Sequence, residues 1–282
     1  VVVTGGSDTV SEPIGFRTIE TRGEDILLNG EPIFLRGIST HEESVLHPGR
    51  AYGPEDAAQV IRFARELNAN FLRLAHYPHN EHMVRAADEA GVLLWAEMPV
   101  YHSIRFSSEE TLAQAKQQYS EVIARDRNRA AVILWSLANE TPDNPARNRF
   151  LESLAAHVRA EDPSRLVTAA LIGVNGMAEI AQYIGAKIAA QKGQPGAGEG
   201  AEPKPVTIVI DDPLGAAVDV IGYNEYLGWY MSGFIARGLS TPTMLSRGEF
   251  GLTGARRILD LAKSRGIPMT WFVPGFTIES HR

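Results

Sequence analysis

Short apolar runs alternate with longer amphipathic stretches along most of this chain. The run Ala131-Val132-Ile133-Leu134-Trp135 is apolar throughout and β-rich, as a strand buried on both faces must be. Comparable runs predict strands over 33–39, 71–76, 92–98, 131–139, 166–172, 218–223, 242–246 and 269–273. Helical spacing between them predicts helices over 54–67, 80–90, 108–125, 146–160 and 254–265. Punctuation agrees: Gly53-Pro54-Glu55-Asp56 opens one helix with acidic residues in its first turn, and Gly91 and Gly266 follow the last turns of two others. Before this rhythm begins, Phe16–Glu20 alternates like a strand, and Leu27 to Pro32 reads as a hairpin through Asn29-Gly30. Eight strands alternating with helices predict an α/β fold, a (β/α)8 TIM barrel. The expected division is a short β-rich lead-in over 1–25 and a barrel over 26–282. A Gly/Pro/Ala-rich tract at about 190–205 reads as a flexible insertion after the fifth strand.

Composition narrows the partners. The 282 residues are 44% hydrophobic, which suits one large domain. A net charge of −7 without a basic stripe argues against nucleic acid and for a neutral or polar small molecule. With no cysteine, disulfides, thiol catalysis and cysteine zinc sites are excluded. No apolar run reaches the roughly 18 residues of a membrane helix. The start, Val1-Val2-Val3-Thr4-Gly5-Gly6, lacks the pattern of a signal peptide, although a processed or trimmed terminus would hide one; the compartment stays open, with cytoplasmic expected ahead of secreted. An oligomer is left open.

The chemistry concentrates where the buried run ends, at Ser136-Leu137-Ala138-Asn139-Glu140. In a β/α barrel the carboxyl ends of the strands carry the active site. A carboxylate there, with an amide beside it for a sugar hydroxyl, is what glycoside hydrolysis requires. A solvated Glu in a strand-to-helix loop is the plain alternative. The spacing His76-x-x-His79-x-x-His82 invites a metal reading, but Tyr77-Pro78 carries the segment from strand to helix and the three would not share a face, so no metal and no cofactor is expected.

Several ordered motifs carry a resemblance over about residues 15–230. They are Leu28-Asn29-Gly30-Glu31-Pro32 leading to Arg36-Gly37, Thr40-His41-Glu42, Arg73-Leu74-Ala75-His76-Tyr77-Pro78, Trp95-Ala96-Glu97-Met98-Pro99, Trp135 to Glu140, and the stretch from Asp219 to Tyr230. Together they resemble the catalytic barrel of glycoside hydrolase family 2, nearest its β-glucuronidase and β-galactosidase branches. From about 240 to 282 the text departs: Ser246-Arg247-Gly248-Glu249-Phe250-Gly251, Arg257-Ile258-Leu259-Asp260-Leu261 and Met269-Thr270-Trp271-Phe272 resemble a fragment of polysaccharide deacetylases. The chain thus looks like a truncated and fused one, with the last barrel units supplied by a segment of different origin.

The resemblance implies a retaining exo-β-glycosidase acting on a β-glucuronide, β-galactoside or β-glucoside, with a small β-glycoside or oligosaccharide as partner. It makes Glu140 the acid/base and points to Glu249 as the nucleophile, against an inert loop carboxylate in foreign surroundings. Glu225, beside Asn224 at the end of the sixth strand, and Glu97, at the end of the third, are rival carboxylates. Tyr226 and Trp229 form either a platform for a pyranose face or a core cluster. Trp271, on the last strand, poses the same choice. Arg73 either orients a catalytic Glu or makes a structural ion pair. His41 and His76 either bind sugar hydroxyls or are structural. The β-glucuronidase branch reads the sugar carboxylate with an Asn-x-Lys pair, which residues 242–282 do not contain. A catalytically weak or inactive sugar-binding barrel is the alternative outcome of truncation and fusion.

Overall fold

The computed structural model describes residues 1–172, 211–224 and 271–272. It opens with an exposed hairpin, β1 (Val2–Gly5) and β2 (Asp8–Ser11). An antiparallel sheet of three strands follows: β3 (Ile19–Arg22), β4 (Asp25–Leu28) and β5 (Glu31–Ile33). Asn29 and Gly30 make the β4–β5 turn with φ of 54° and 83°, the left-handed pair that a tight hairpin needs and that Asn-Gly supplies.

The strand/helix rhythm then runs as β6 (Arg36–Thr40), α1 (Pro54–Glu66), β7 (Phe71–Leu74), α2 (Glu81–Ala90) and β8 (Leu93–Glu97). It continues through α3 (Glu109–Asp126), β9 (Val132–Asn139), α4 (Pro145–Glu161) and β10 (Leu166–Ile172). A short 3-10 turn, Pro213–Ala216, leads to β11 (Val220–Asn224), and β12 (Trp271–Phe272) is the last described strand. Strands β6 to β12 form one parallel sheet in the order β11-β10-β9-β8-β7-β6-β12. The last strand therefore lies beside the first of the series, Trp271 opposite Arg36, on the side away from β7. The predicted strand over 242–246, the helix over 254–265, Gly266 and the insertion at 190–205 lie outside the described residues.

Helix ends follow the sequence closely. Asn80, Ser108 and Asn144 each accept backbone N–H bonds at the starts of α2, α3 and α4, and Gly91 closes α2 at φ 69°. Two predicted strands are corrected. The segment over 33–39 is two strands, because β5 pairs antiparallel with β4 and the chain leaves that pairing at Phe34 and Leu35 before entering the parallel sheet at Arg36. The alternation at Phe16–Glu20 yields a strand only from Ile19, because its partner β4 ends opposite it at Leu28 and the chain turns away at Asn29; the preceding Arg17 uses its side chain elsewhere. Its guanidinium donates to the carbonyls of Ala130 (3.1 Å), Val132 (2.6 Å) and Ser164 (2.8 Å), at the amino ends of β9 and β10. Burial lowers the Arg17 pKa to about 10, and the nearby Arg165 charge adds to this.

The two-residue period of the strands sorts the sheet's faces. Leu72, Leu74, Leu94 and Ala96 pack into the core shared with α1 to α4. Phe71, Trp95, Leu166 and Ala170 pack with Leu35, Ile133 and Leu134 in a second cluster on the other face. By the same alternation Arg73 and Glu97 belong to that second face, one step nearer the carboxyl ends of the strands. At the far side of the sheet, β11 is fixed in register at its start. Asp219 exchanges two bonds with the Val167 backbone, at 2.7 and 2.8 Å, and pairs with Arg159 at 2.9 Å. Thr168 Oγ1 donates to the Val220 carbonyl at 2.7 Å. Before it, the fully buried Arg147 of α4 grips both oxygens of Asp212 at 2.8 and 2.7 Å, the forked geometry that guanidinium and carboxylate share.

Candidate active site

Four strands end together on this face: β7, β8, β9 and β11. The side chains at those ends are bound into one polar network around Arg73, which is 5% exposed. Its Nε donates to Glu97 Oε1, its Nη1 to Asn224 Oδ1 at 2.8 Å and its Nη2 to Asn139 Oδ1 at 2.6 Å. The guanidinium also lies over the Trp95 ring, 4.8 Å from its centre, so a cation–π contact supports the group from below. Glu97 gives its second oxygen to His76 Nδ1 at 2.6 Å. Burial would raise the Glu97 pKa. The Arg73 charge and the bonds from His76 and Arg73 together outweigh it and hold the carboxyl below its ordinary value.

Glu140 is the first residue beyond β9, and its backbone is unusual. Its φ is 53°, in the left-handed region that a Glu enters at a cost of about 1–3 kcal/mol. Its N–H is held by the Ala170 carbonyl at 2.8 Å. The turn brings Glu140 Oε1 to 2.6 Å from Asn224 Nδ2, which also donates to Asn139 Oδ1 at 2.9 Å. Unlike Glu97, Glu140 is only partly buried. Among the described residues no group bonds its second oxygen. Asn139 spends its side-chain oxygen on Arg73 and Asn224, which leaves its Nδ2 as the group able to donate outward. Its backbone is pinned to the loop after β8, with its N–H on Val100 O at 2.9 Å and its C=O on the His102 N–H at 3.0 Å.

His76 stands between this network and solvent. His41, at the end of β6, is edge-on to it with ring centres 5.3 Å apart, and Tyr101 lies 6.1 Å away on the other side. Burial lowers the His41 pKa, and a charge on His76 would lower it further. The adjacent Glu42 is buried. Its carboxylate accepts from Arg50 and from the Asn80 N–H, which ties the loop carrying His41 to the start of α2. His79 turns instead to the Ala75 carbonyl at 3.1 Å, so it and His76 serve different partners.

Arg73, His76, Glu97, Asn139, Glu140 and Asn224 are thus brought together, with His41 at their rim. The ion pair of Arg73 is with Glu97, and its reach to Glu140 runs through Asn224. Glu225, Tyr226, Trp229 and Glu249 lie outside the described residues, and of Trp271 only its place in β12 is described. Tyr101 was not found from sequence. It lies in the loop after β8, two residues beyond Pro99, and no local pattern marks it as facing His76. Nor does sequence reveal the left-handed turn at Glu140, since nothing but the fold over-determines it.

The chain matches the family model of glycosyl hydrolases family 2, TIM barrel domain, over residues 19–192. It is similar to the β-glucuronidase of Homo sapiens, 29% identical over 227 residues that cover 79% of this chain and 30% of the relative. The β-glucuronidase of Paenibacillus borealis is 32% identical over 184 residues, covering 60% of this chain and 30% of the relative. Among solved structures, a β-glucuronidase from Ruminococcus gnavus in complex with a C6-substituted uronic isofagomine superposes with a TM-score of 0.62 at 26% identity. That match covers 96% of this chain and 40% of the other. The chain therefore spans less than a third of the curated relatives it matches.

Proposed function

From the premise that this chain belongs to family 2 of the glycosyl hydrolases, through its TIM barrel domain, we propose that it is a retaining exo-β-glycosidase. The observation that carries the reading is Glu140 itself: a partly exposed carboxylate at a strand end, set in a strained turn, with an amide on one oxygen and no described residue on the other. Glu140 protonates the leaving oxygen as the glycosidic bond breaks and then takes a proton from the water that releases the sugar. Asn139, through its Nδ2, donates to a sugar hydroxyl. His41 and His76 line the approach, and Arg73 with Glu97 holds the floor rigid.

Glu249 supplies the nucleophile that attacks the anomeric carbon. What supports this is its Glu-Phe-Gly context; retention requires its carboxyl to stand about 5–5.5 Å from that of Glu140. Tyr226, Trp229 and Trp271 complete the sugar platform, and Glu225 stands as the rival carboxylate. The resemblance of residues 240–282 to a deacetylase fragment supports a barrel whose last units have a different origin from the rest. The pairing of β12 with β6 is what the final strand of such a barrel requires. The substrate is a small β-glycoside, and a β-glucuronide is the first candidate because the relatives bear that name.

The test is a panel of aryl β-glucuronides, β-galactosides and β-glucosides, with a fluoro-sugar trap analysed by peptide mass. Turnover of one series and a label on Glu249 are expected. Label on Glu225 would move the nucleophile, and turnover of none would remove the activity.

A further inference from the structure

The amide of Asn224, like that of Asn139, can be oriented only one way. Arg73 has no acceptor, so the atom facing its Nη1 at 2.8 Å must be Oδ1. The opposite atom is then Nδ2, and its two N–H groups go to Asn139 Oδ1 at 2.9 Å and Glu140 Oε1 at 2.6 Å. Every bond of this amide goes to protein. The amide therefore serves the carboxyl beside it and has no N–H left to donate to a sugar.

An N–H donor on Oε1 disfavours a proton there, since the hydroxyl oxygen of a carboxylic acid is a weaker acceptor than its carbonyl oxygen. The hydrogen that a general acid must carry is thereby placed on Oε2, the oxygen that no described residue engages. We infer that Asn224 is a positioning residue: it clamps Glu140 by Oε1, fixes the plane of the carboxyl, and so assigns the transferable proton to Oε2. The clamp is itself held, by Arg73 on one side and by the register of β11 on the other. There Ile172 of β10 stands opposite Asn224, and Asp219 and Thr168 lock the start of the strand. The inference rests on the glycosidase reading for the use of that proton, though not for the clamp.

Two variants test it. Asn224→Ala removes the amide, and Asn224→Asp keeps its volume and the Arg73 bond while replacing the N–H donor with an acceptor. In crystal structures of both, the Glu140 carboxyl should leave its present position or occupy more than one. In kinetics, alkyl β-glycosides, whose leaving groups need protonation, should lose about a hundredfold, while dinitrophenyl β-glycosides should lose under about threefold. A role confined to packing would lower both series alike. Glu140 unmoved in both variants, or equal losses across the series, would overturn the inference. If Glu140 moves but the unaltered protein cleaves no β-glycoside, the clamp stands and the glycosidase reading fails. If that protein cleaves them and the variants do so equally well, the reading stands and the clamp fails.

Discussion

Arg73 and Glu97 show how much of this site is decided by single residues. Both are almost wholly buried, so neither charge has water to fall back on, and each is tolerable only because of the other. Glu97→Ala should cost about 3–5 kcal/mol in a denaturant melt, the usual penalty for leaving one member of such a pair alone. The pH dependence has a definite sign. Because Glu97 titrates below its ordinary value of 4.5 in the folded protein, its contribution is present above that pH. It is lost as pH falls through the lower, folded value. The melting difference between the unaltered protein and Glu97→Gln should therefore hold steady just above pH 4.5 and shrink below it. A difference that grew on acidification would contradict the assignment. The sequence made Arg73 and Glu97 legible as charges at strand ends, because an ionisable side chain in an apolar run is conspicuous. It did not show that they were partners, since 24 residues separate them and only the pairing of β7 with β8 brings them together.

Strands and helices were far easier to read than the contacts between them. β9 and β10 were anticipated almost to the residue, because a strand covered on both faces leaves an unbroken apolar run. The start of α1 and the end of α2 were marked in the sequence, by Gly53-Pro54 and by Gly91. The β5/β6 break left no such trace: its cause is a change of partner, and the side chains on either side look alike. β11 shows a further constraint that only packing reveals. A Cβ on Gly222 would lie 2.3 Å from the Trp95 ring and 3.0 Å from the Ala169 carbonyl. The indole that supports Arg73 therefore rests against bare backbone. Gly222→Ala should force that ring aside at about 1–3 kcal/mol. It should also disturb the site more than its distance from Glu140 would imply. Differential scanning calorimetry gives the first quantity. An unchanged melting temperature would mean that Trp95 has room to move.

At the scale of the whole molecule, the segment from Glu12 to Arg17 works as a strap across the amino ends of the strands. Glu12 pairs with Arg85 at 2.5 Å and with Arg129, and Arg129 also donates to the Pro13 carbonyl at 3.2 Å. Arg17 adds its three carbonyl bonds. The hairpin that precedes the strap is exposed along both strands. Removing residues 1–11 should therefore leave the equilibrium stability within about 0.5 kcal/mol of the original. Arg17→Ala should cost about 2–3 kcal/mol, the worth of charged hydrogen bonds left unmade. Urea melts of the two variants would separate these outcomes, and equal losses would show the strap to be no stronger than the hairpin. The strap also has a consequence in time. The carbonyls that Arg17 reaches lie 113 to 147 residues further along the chain, so synthesis delivers the guanidinium long before its acceptors exist. A contact of such long sequence separation pays a large loop-closure cost, so the strap is expected to close after the strands dock. In a chevron plot, Arg17→Ala should steepen nothing and leave the refolding rate nearly unchanged, while unfolding becomes faster. On that outcome the strap is a brake on escape from the native state, set after the strands have docked.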